Sequence, residues 1–315
     1  MISHSKGFSL IEIMIALVVG LILLSGIIQL LISTRESFNT QSAISRIRED
    51  GEFAIQYVSD DLRNTDFWGC LRNSAQRVNH LNTSNRFYQF TAALSGTADL
   101  LTNQDSIMVS GVQPTSGLNQ VIEPYPETTV SPLTVAAPSG INPSAILFVS
   151  DCLHGDIFQV TNPAANAGLL AHLAGVGAPG NVSDTLSAVY GEGAYVYFPY
   201  THEYHIKANE SGQPSLYMTV ATGDQALVDN VEQMLVLYGE DTDQDGVVNR
   251  YVRASQVSDM DKVLSLRLYL VLRTAEDHLA ATPQAYLLNG VMVKPNDTRL
   301  RRVYSQTIIL RNRLK

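Results

Sequence analysis

Asp241, Asp243 and Asp245 alternate with Thr242 and Gln244, and Gly246 follows at once. Alternate carboxylates on one tight loop can converge on a single hard cation, and a glycine permits the sharp turn such a loop needs. Val247 would add a backbone carbonyl, and Asn249 stands at the ninth position of the pattern. At the twelfth position, where calcium loops carry a bidentate glutamate, the chain has Val252; Glu240, Asp259 and Asp261 are acids that could replace it. Strand-like runs on both sides argue against a helix–loop–helix. Calcium is one reading of these residues. The other is an acidic hairpin tip, because Asp-Gly is a strong turn pair. The sequence leaves both open.

Glu12 poses a different problem. It is the only charged side chain between Phe8 and Thr34, in an otherwise apolar run. That run exceeds the roughly 20 residues that cross a hydrocarbon core. An acid at the centre of such a span costs about 2.5–3.5 kcal/mol and is usually paired and functional. If the chain is cut between Gly7 and Phe8, the new α-ammonium stands four residues before Glu12, about one helical turn away. A secretory signal peptide fits poorly, since the apolar run continues into an amphipathic helix instead of a small-residue cleavage site.

Other patterns carry less. Gly175, Gly177 and Gly180 match GxGxxG, but no strand precedes them and Pro179 interrupts them, so they do not read as a nucleotide loop. His202 and His205, three apart on a strand, face opposite ways and cannot easily share an ion. No Gly-x-Ser-x-Gly elbow or Cys/His nucleophile pair is present, which disfavours a membrane-anchored enzyme. Arg299, Arg301, Arg302, Arg311, Arg313 and Lys315 make the C-terminal end basic; it could meet an acidic neighbour subunit or DNA, and a solvated strand edge blunted by charge is the plain reading.

The elements that hold these residues follow from periodicity. No proline falls between Phe8 and Arg63, so one helix can run throughout. Its first part, residues 8–33, is apolar all round. In its second part, 34–69, Ile44, Ile47, Gly51, Ala54, Ile55, Val58 and Leu62 form an apolar stripe. Residues 70–190 are rich in Ala, Gly, Ser, Thr, Asn and Pro and read as loop-rich, with short strands at Ser106–Val109, Ala145–Val149 and Ile157–Val160 and a short helix in Asn162–Ala174. Residues 191–315 are β-rich: Ala194–Phe198, Glu203–Ile206, Leu216–Val220, Val231–Tyr238, Leu264–Leu272 and Arg302–Leu310. The even-numbered leucines from Leu264 to Leu272 alternate with Ser265, Arg267, Tyr269, Val271 and Arg273, a strand with one buried face. The expected class is α+β: a long helix packed on an antiparallel sheet, with a loop-rich insertion.

The 315 residues carry a net charge of −9, so a general affinity for nucleic acid is not expected. Lys6 precedes the apolar run, which by the positive-inside bias keeps the N-terminus cytoplasmic and sends the rest across the membrane as a single pass. In an oxidising periplasm the two cysteines, Cys70 and Cys152, would form a disulfide; two buried free thiols are the alternative.

Lys6, Gly7, Phe8 and Glu12 resemble the N-terminal motif of the type IV pilin class. Phe67-Trp68-Gly69-Cys70, the Val231–Tyr238 strand with its acidic loop, and Arg301-Arg302-Val303-Tyr304-Ser305 are similar to the PilW-like minor pilins. The resemblance implies a leader, residues 1–7, removed after Gly7 by a prepilin peptidase that then methylates Phe8. It implies that Glu12 meets a neighbour's N-terminal amine in the fibre core. It also implies a pilin-like fold without catalysis: a minor pilin that primes assembly and sits near the fibre tip. Its partners would be the major pilin, other minor pilins and a large tip adhesin, in support of twitching motility, adhesion or DNA uptake. A pseudopilin of type II secretion shares these features and is the rival reading.

Overall fold

The computed structural model describes residues 9–72, 74–163 and 165–314, with backbone only at 116–118. Gly7 and Phe8 lie outside the described residues. One helix, α1, spans Leu10–Arg63, 54 residues without a break. Its two halves differ. Every residue from Leu10 to Val19 and from Leu21 to Asn39 is exposed, and burial starts at Ala43. Ala43, Ile47, Gly51, Ala54, Val58, Ser59 and Leu62 then face the domain. Ile44, placed on the stripe by sequence, is 45% exposed, and Ala43 takes its place. The stripe winds around the helix because 3.6 residues per turn do not repeat evenly at spacings of three and four.

The helix lies on a four-stranded antiparallel sheet made of Arg250–Val252, Val231–Glu240, Val263–Arg273 and Arg301–Ile309, in that spatial order. Leu266, Leu268, Leu270 and Leu272 are buried on one face, as their alternation requires. A register shift between Gly239 and Glu240, opposite Ser265 and Val263, places Val263 in the same core and leaves Leu264 half-buried. On the sheet's far face a small hairpin, Tyr286–Leu288 with Val291–Val293, covers Leu235, Leu237 and Val271.

Residues 70–190 hold more structure than their composition suggests. Ser106–Gln120 is a single long strand in an eight-stranded sheet. It pairs with Tyr195–Ala208, one strand where the sequence reads two. Ile146–Ser150 pairs with the same strand and with Gly155–Gln159, so the sheet runs across 190/191. Gly223–Asp229, unread in the sequence, pairs with Pro214–Val220. In Asn162–Ala174 there is a single turn, Ala165–Ala167, and a two-residue strand, Leu169–Leu170, in place of a helix. The apolar side chains missing from any single run are pooled from several. Val121, Leu133, Ile141, Leu147, Phe158 and Tyr190 form one core in this way.

Cys70 and Cys152 are joined, with Cα atoms 4.8 Å apart and a sequence separation of 82. The chain-entropy estimate for a loop of that length is about 4–5 kcal/mol. The bridge holds the strand-rich region to the end of the spine. Trp68 packs edge-on against Phe90 and Phe148 beside it, with the Arg77 guanidinium 4.0 Å from its ring centre.

The tightest helix–sheet approach is at Gly51. A Cβ there would lie 2.1 Å from Cε2 of Tyr304, whose hydroxyl donates to the Ile47 carbonyl at 2.9 Å. Alanine favours the helix by about 1 kcal/mol over glycine, but overpacking costs about 1–3 kcal/mol and the Tyr304 bond about 1 more. Gly51→Ala should therefore lower the melting temperature of the detergent-purified chain, measured by circular dichroism. Gly26→Ala, which meets nothing within 4 Å, should not.

Candidate functional site

The first candidate is the bare half of α1. Leu10–Ile32 covers about 34 Å at 1.5 Å per residue, close to the thickness of a hydrocarbon core. Its large apolar side chains are 49–77% exposed. Ser9 precedes the helix without a side-chain cap, and its carbonyl accepts from Glu12 N at 3.0 Å. Glu12 is in the first turn, where the unpaired N–H groups favour an anion, and no described residue forms an ion pair with it. The chain thus presents one exposed carboxylate at the start of a long apolar rod.

The second candidate is the acidic loop, at the end of the domain far from that rod. The direction follows from contacts with α1. Tyr304 meets the helix at Ile47, and farther along the same strand's course Asn312 Nδ2 donates to the Thr65 carbonyl at 3.0 Å. Arg301–Ile309 therefore runs away from the apolar half, Val263–Arg273 runs back, and Val231–Glu240 runs away again into the loop.

Asp241, Asp243 and Asp245 each offer a carboxylate oxygen, all within 4.8 Å of one another. Asp241 is buried, while Asp243 and Asp245 are exposed. Asp241 organises the turn: its Oδ1 accepts from Gln244 N at 2.6 Å and its Oδ2 from Gly246 N at 2.8 Å. Burial pushes the Asp241 carboxyl up, but these backbone donors outweigh it and leave it below the usual range. Gln244 and Gly246 both have positive φ, 62° and 86°, which a glycine adopts freely and Gln244 only under constraint. Val247 N donates to Asp245 Oδ1 at 2.8 Å. The Asn249 carboxamide oxygen is taken by Thr242 N at 2.6 Å, so Asn249 closes the base of the loop. Three hard oxygen donors fit a divalent cation in kind; Asn249 does not join them.

Glu240 is not a free replacement for the missing glutamate. It is fully buried and its Oε2 accepts from Arg250 Nη2 at 2.8 Å, while Oε1 accepts from Ser258 N at 3.0 Å and Asp259 N at 3.2 Å. Burial alone would raise this carboxyl; the Ser258 and Arg250 hydrogen bonds outweigh it and bring it down to about 2. Asp259 accepts from Asp261 N.

The remaining sequence candidates have separate partners. His202 Nδ1 lies 2.9 Å from Asp61 Oδ2, which also accepts the Tyr204 hydroxyl at 2.7 Å, and His205 stacks on Tyr217. Gly180 N donates to Gln159 Oε1 at 2.8 Å, so that glycine loop is bound within the fold. Of the basic C-terminal group, Arg301 pairs with Glu232 and Asp297, Arg299 with Asp297, and Arg313 with Asp66. Lys315 lies outside the described residues. Asp297 is local to Arg299 and Arg301, but Glu232 and Asp66 are distant in the chain, so the sequence did not reveal those anchors.

Residues 2–28 match the prokaryotic N-terminal methylation motif, and residues 203–312 match the family described as type IV pilus-assembly protein W. The two matches together cover less than half of the chain, and at those residues it is similar to proteins of the type IV pilin class. Its C-terminal part is similar to the pilus-assembly protein W family. No curated protein sequence matches the chain. A type IV-like pilin from Thermus thermophilus aligns over 86% of this chain and 98% of its own, at 11% identity and a TM-score of 0.39.

The Glu240 network predicts acid sensitivity. Its folded pKa of about 2 is below the ordinary value of 4.5, so its stabilisation is complete above pH 4.5 and is lost as pH falls from there through about 2. Glu240→Gln should lower stability at pH 7. It should also flatten the acid limb of a melting-temperature profile across that window.

Proposed function

We propose that the chain is a minor pilin that primes assembly of a type IV pilus and is placed near its tip. The observation that carries this reading is Glu12, one exposed carboxylate in the first turn of an apolar rod that buries nothing in its own domain. Such a rod is suited to two environments in turn, the inner membrane and a bundle of like helices. In the membrane it holds the subunit as a single pass, with the sheet domain in the periplasm. In the bundle Glu12 meets the N-terminal amine of a neighbour, the major pilin or another minor pilin, and the charge in the apolar surroundings is neutralised. A large tip adhesin is a further partner, and twitching motility, adhesion or DNA uptake the outcome. The family and the fold point to a structural role and not to an enzyme.

Two measurements on the mature protein test this. Mass spectrometry should find Phe8 first and methylated, after cleavage following Gly7 by the prepilin peptidase. Glu12→Ala should leave the chain in the membrane, since insertion becomes easier, yet reduce pilus assembly. Normal piliation with normal incorporation of the variant would contradict the reading.

We also infer that the acidic loop holds calcium. Asp241, Asp243 and Asp245 bring three like charges together, and a cation bound by the folded loop alone raises stability by RT ln(1 + [L]/Kd). With Glu240 engaged elsewhere, the affinity should fall in the millimolar range of extracellular modules. The detergent-purified chain should melt higher in millimolar calcium than in chelator, magnesium should do less, and Asp243→Ala should abolish the increment. Equal melting in calcium and chelator would leave an acidic hairpin.

A further inference from the structure

Arg301–Ile309 is an outer strand of the four-stranded sheet, paired on one side only, with Val263–Arg273. The direction of its backbone groups follows from the next residue. Leu310 N donates to the Leu264 carbonyl at 2.9 Å, so Leu310 continues the hydrogen-bonded positions of the ladder. In an antiparallel pair these alternate with positions that point away. Arg302, Tyr304, Gln306 and Ile308 therefore turn their N–H and C=O inward, and Val303, Ser305, Thr307 and Ile309 turn theirs outward. Among the described residues no backbone group outside the strand bonds Ser305, Thr307 or Ile309.

The usual protections of an open edge are missing over this stretch. The pairing has no register shift and the strand has no proline. Ser305, Thr307 and Ile309 are all exposed, Ile309 by 54%. Charge is present only beyond its two ends. Arg302 and Arg311 are exposed and in no ion pair among the described residues, while Arg299, Arg301 and Arg313 are bound internally. Arg302 lies over the Tyr304 ring, 5.5 Å from its centre, and at about 3.4 Å per residue it and Arg311 are roughly 30 Å apart. The surface is an open row of main-chain donors and acceptors, one exposed isoleucine, and a positive charge at either end.

We propose that this edge docks an extended, acid-flanked strand of a neighbouring pilin-class subunit, which adds to the sheet along Ser305–Ile309. The proposal rests on reading the chain as a pilus subunit. Main-chain bonds supply the affinity of such strand addition, and the flanking arginines select an acidic partner and set its register.

The full-length chain, expressed in cells that make pili, provides the test. A proline is tolerated on an edge strand where its N–H would face outward. Ser305→Pro with Thr307→Pro removes two outward donors and leaves the internal ladder; Gln306→Pro removes a ladder bond and is the unfolding control. The double variant should keep its membrane level and melting temperature, yet its content in sheared pili should fall by on the order of tenfold. Arg302→Glu with Arg311→Glu should also reduce incorporation without any backbone change. A photo-crosslinking residue at Thr307 should join the chain to an acid-flanked extended segment of another pilin-class subunit, mapped by mass spectrometry. Unchanged incorporation of both variants overturns the proposal, as does crosslinking to a second copy of this chain or to a protein outside the class. If the double proline variant unfolds, the arginine variant and the crosslink decide. Absence of the wild-type chain from pili would instead overturn the pilus reading itself.

Discussion

The domain depends on the seating of Tyr304 against Gly51. A long helix gains its stability from the apolar face it buries, and α1 buries only its second half. Its grip on the domain must therefore be made in about five turns. The missing side chain at Gly51 lets an aromatic ring reach the helix backbone, where its hydroxyl bonds the Ile47 carbonyl. Ala54, Val58 and Leu62 continue the contact with almost no exposed surface.

Polar ties then fix the far end of the helix. Asp61 accepts from both His202 and Tyr204 of the eight-stranded sheet. The carbonyl of Thr65 and the carboxylate of Asp66 are held by Asn312 and Arg313 of the C-terminal turn. Both sheets thus close on the last turns of α1, one through its middle strand and the other through the end of the chain. The disulfide adds a covalent tie a few residues on. The apolar half, in contrast, has no tertiary contact and is free to serve as a membrane anchor or as a bundle element.

How much of this was legible depended on the range of the interactions involved. The helix was plain from its periodicity and its freedom from proline. So was the Leu266–Leu272 face, because both signals are local. The acidic cluster was local too, and its three aspartates do converge. Pieces of five strands of the eight-stranded sheet were legible, but not their full lengths or their union in one sheet, since the strands continue through Gly, Ser, Thr and Pro. Gly111 shows why: a Cβ there would sit 3.1 Å from the Tyr200 hydroxyl and 3.2 Å from the Asn64 carbonyl, so the small residue that looked like loop is a packing requirement. The role of Glu240 was likewise out of reach, because Ser258 and Arg250 come to it only through the hairpin.

The two ends of the molecule follow opposite electrostatic logic. At the rod, one carboxylate stands on an apolar surface without an ion-pair partner among the described residues, so on the proposed reading a cation from a neighbour would relieve it. At the distal loop, three carboxylates are close together, but Asp241 is already held by backbone N–H groups and the buried Glu240 by Arg250 and Ser258. The base of the loop is therefore formed whether or not a cation binds, and the repulsion that remains lies between exposed oxygens that water also screens. A cation there would tune a loop that exists without it, whereas no described residue pairs with Glu12. On the proposed reading the demand for a partner is thus strongest at the rod, and the rest of the domain would serve assembly through the helix.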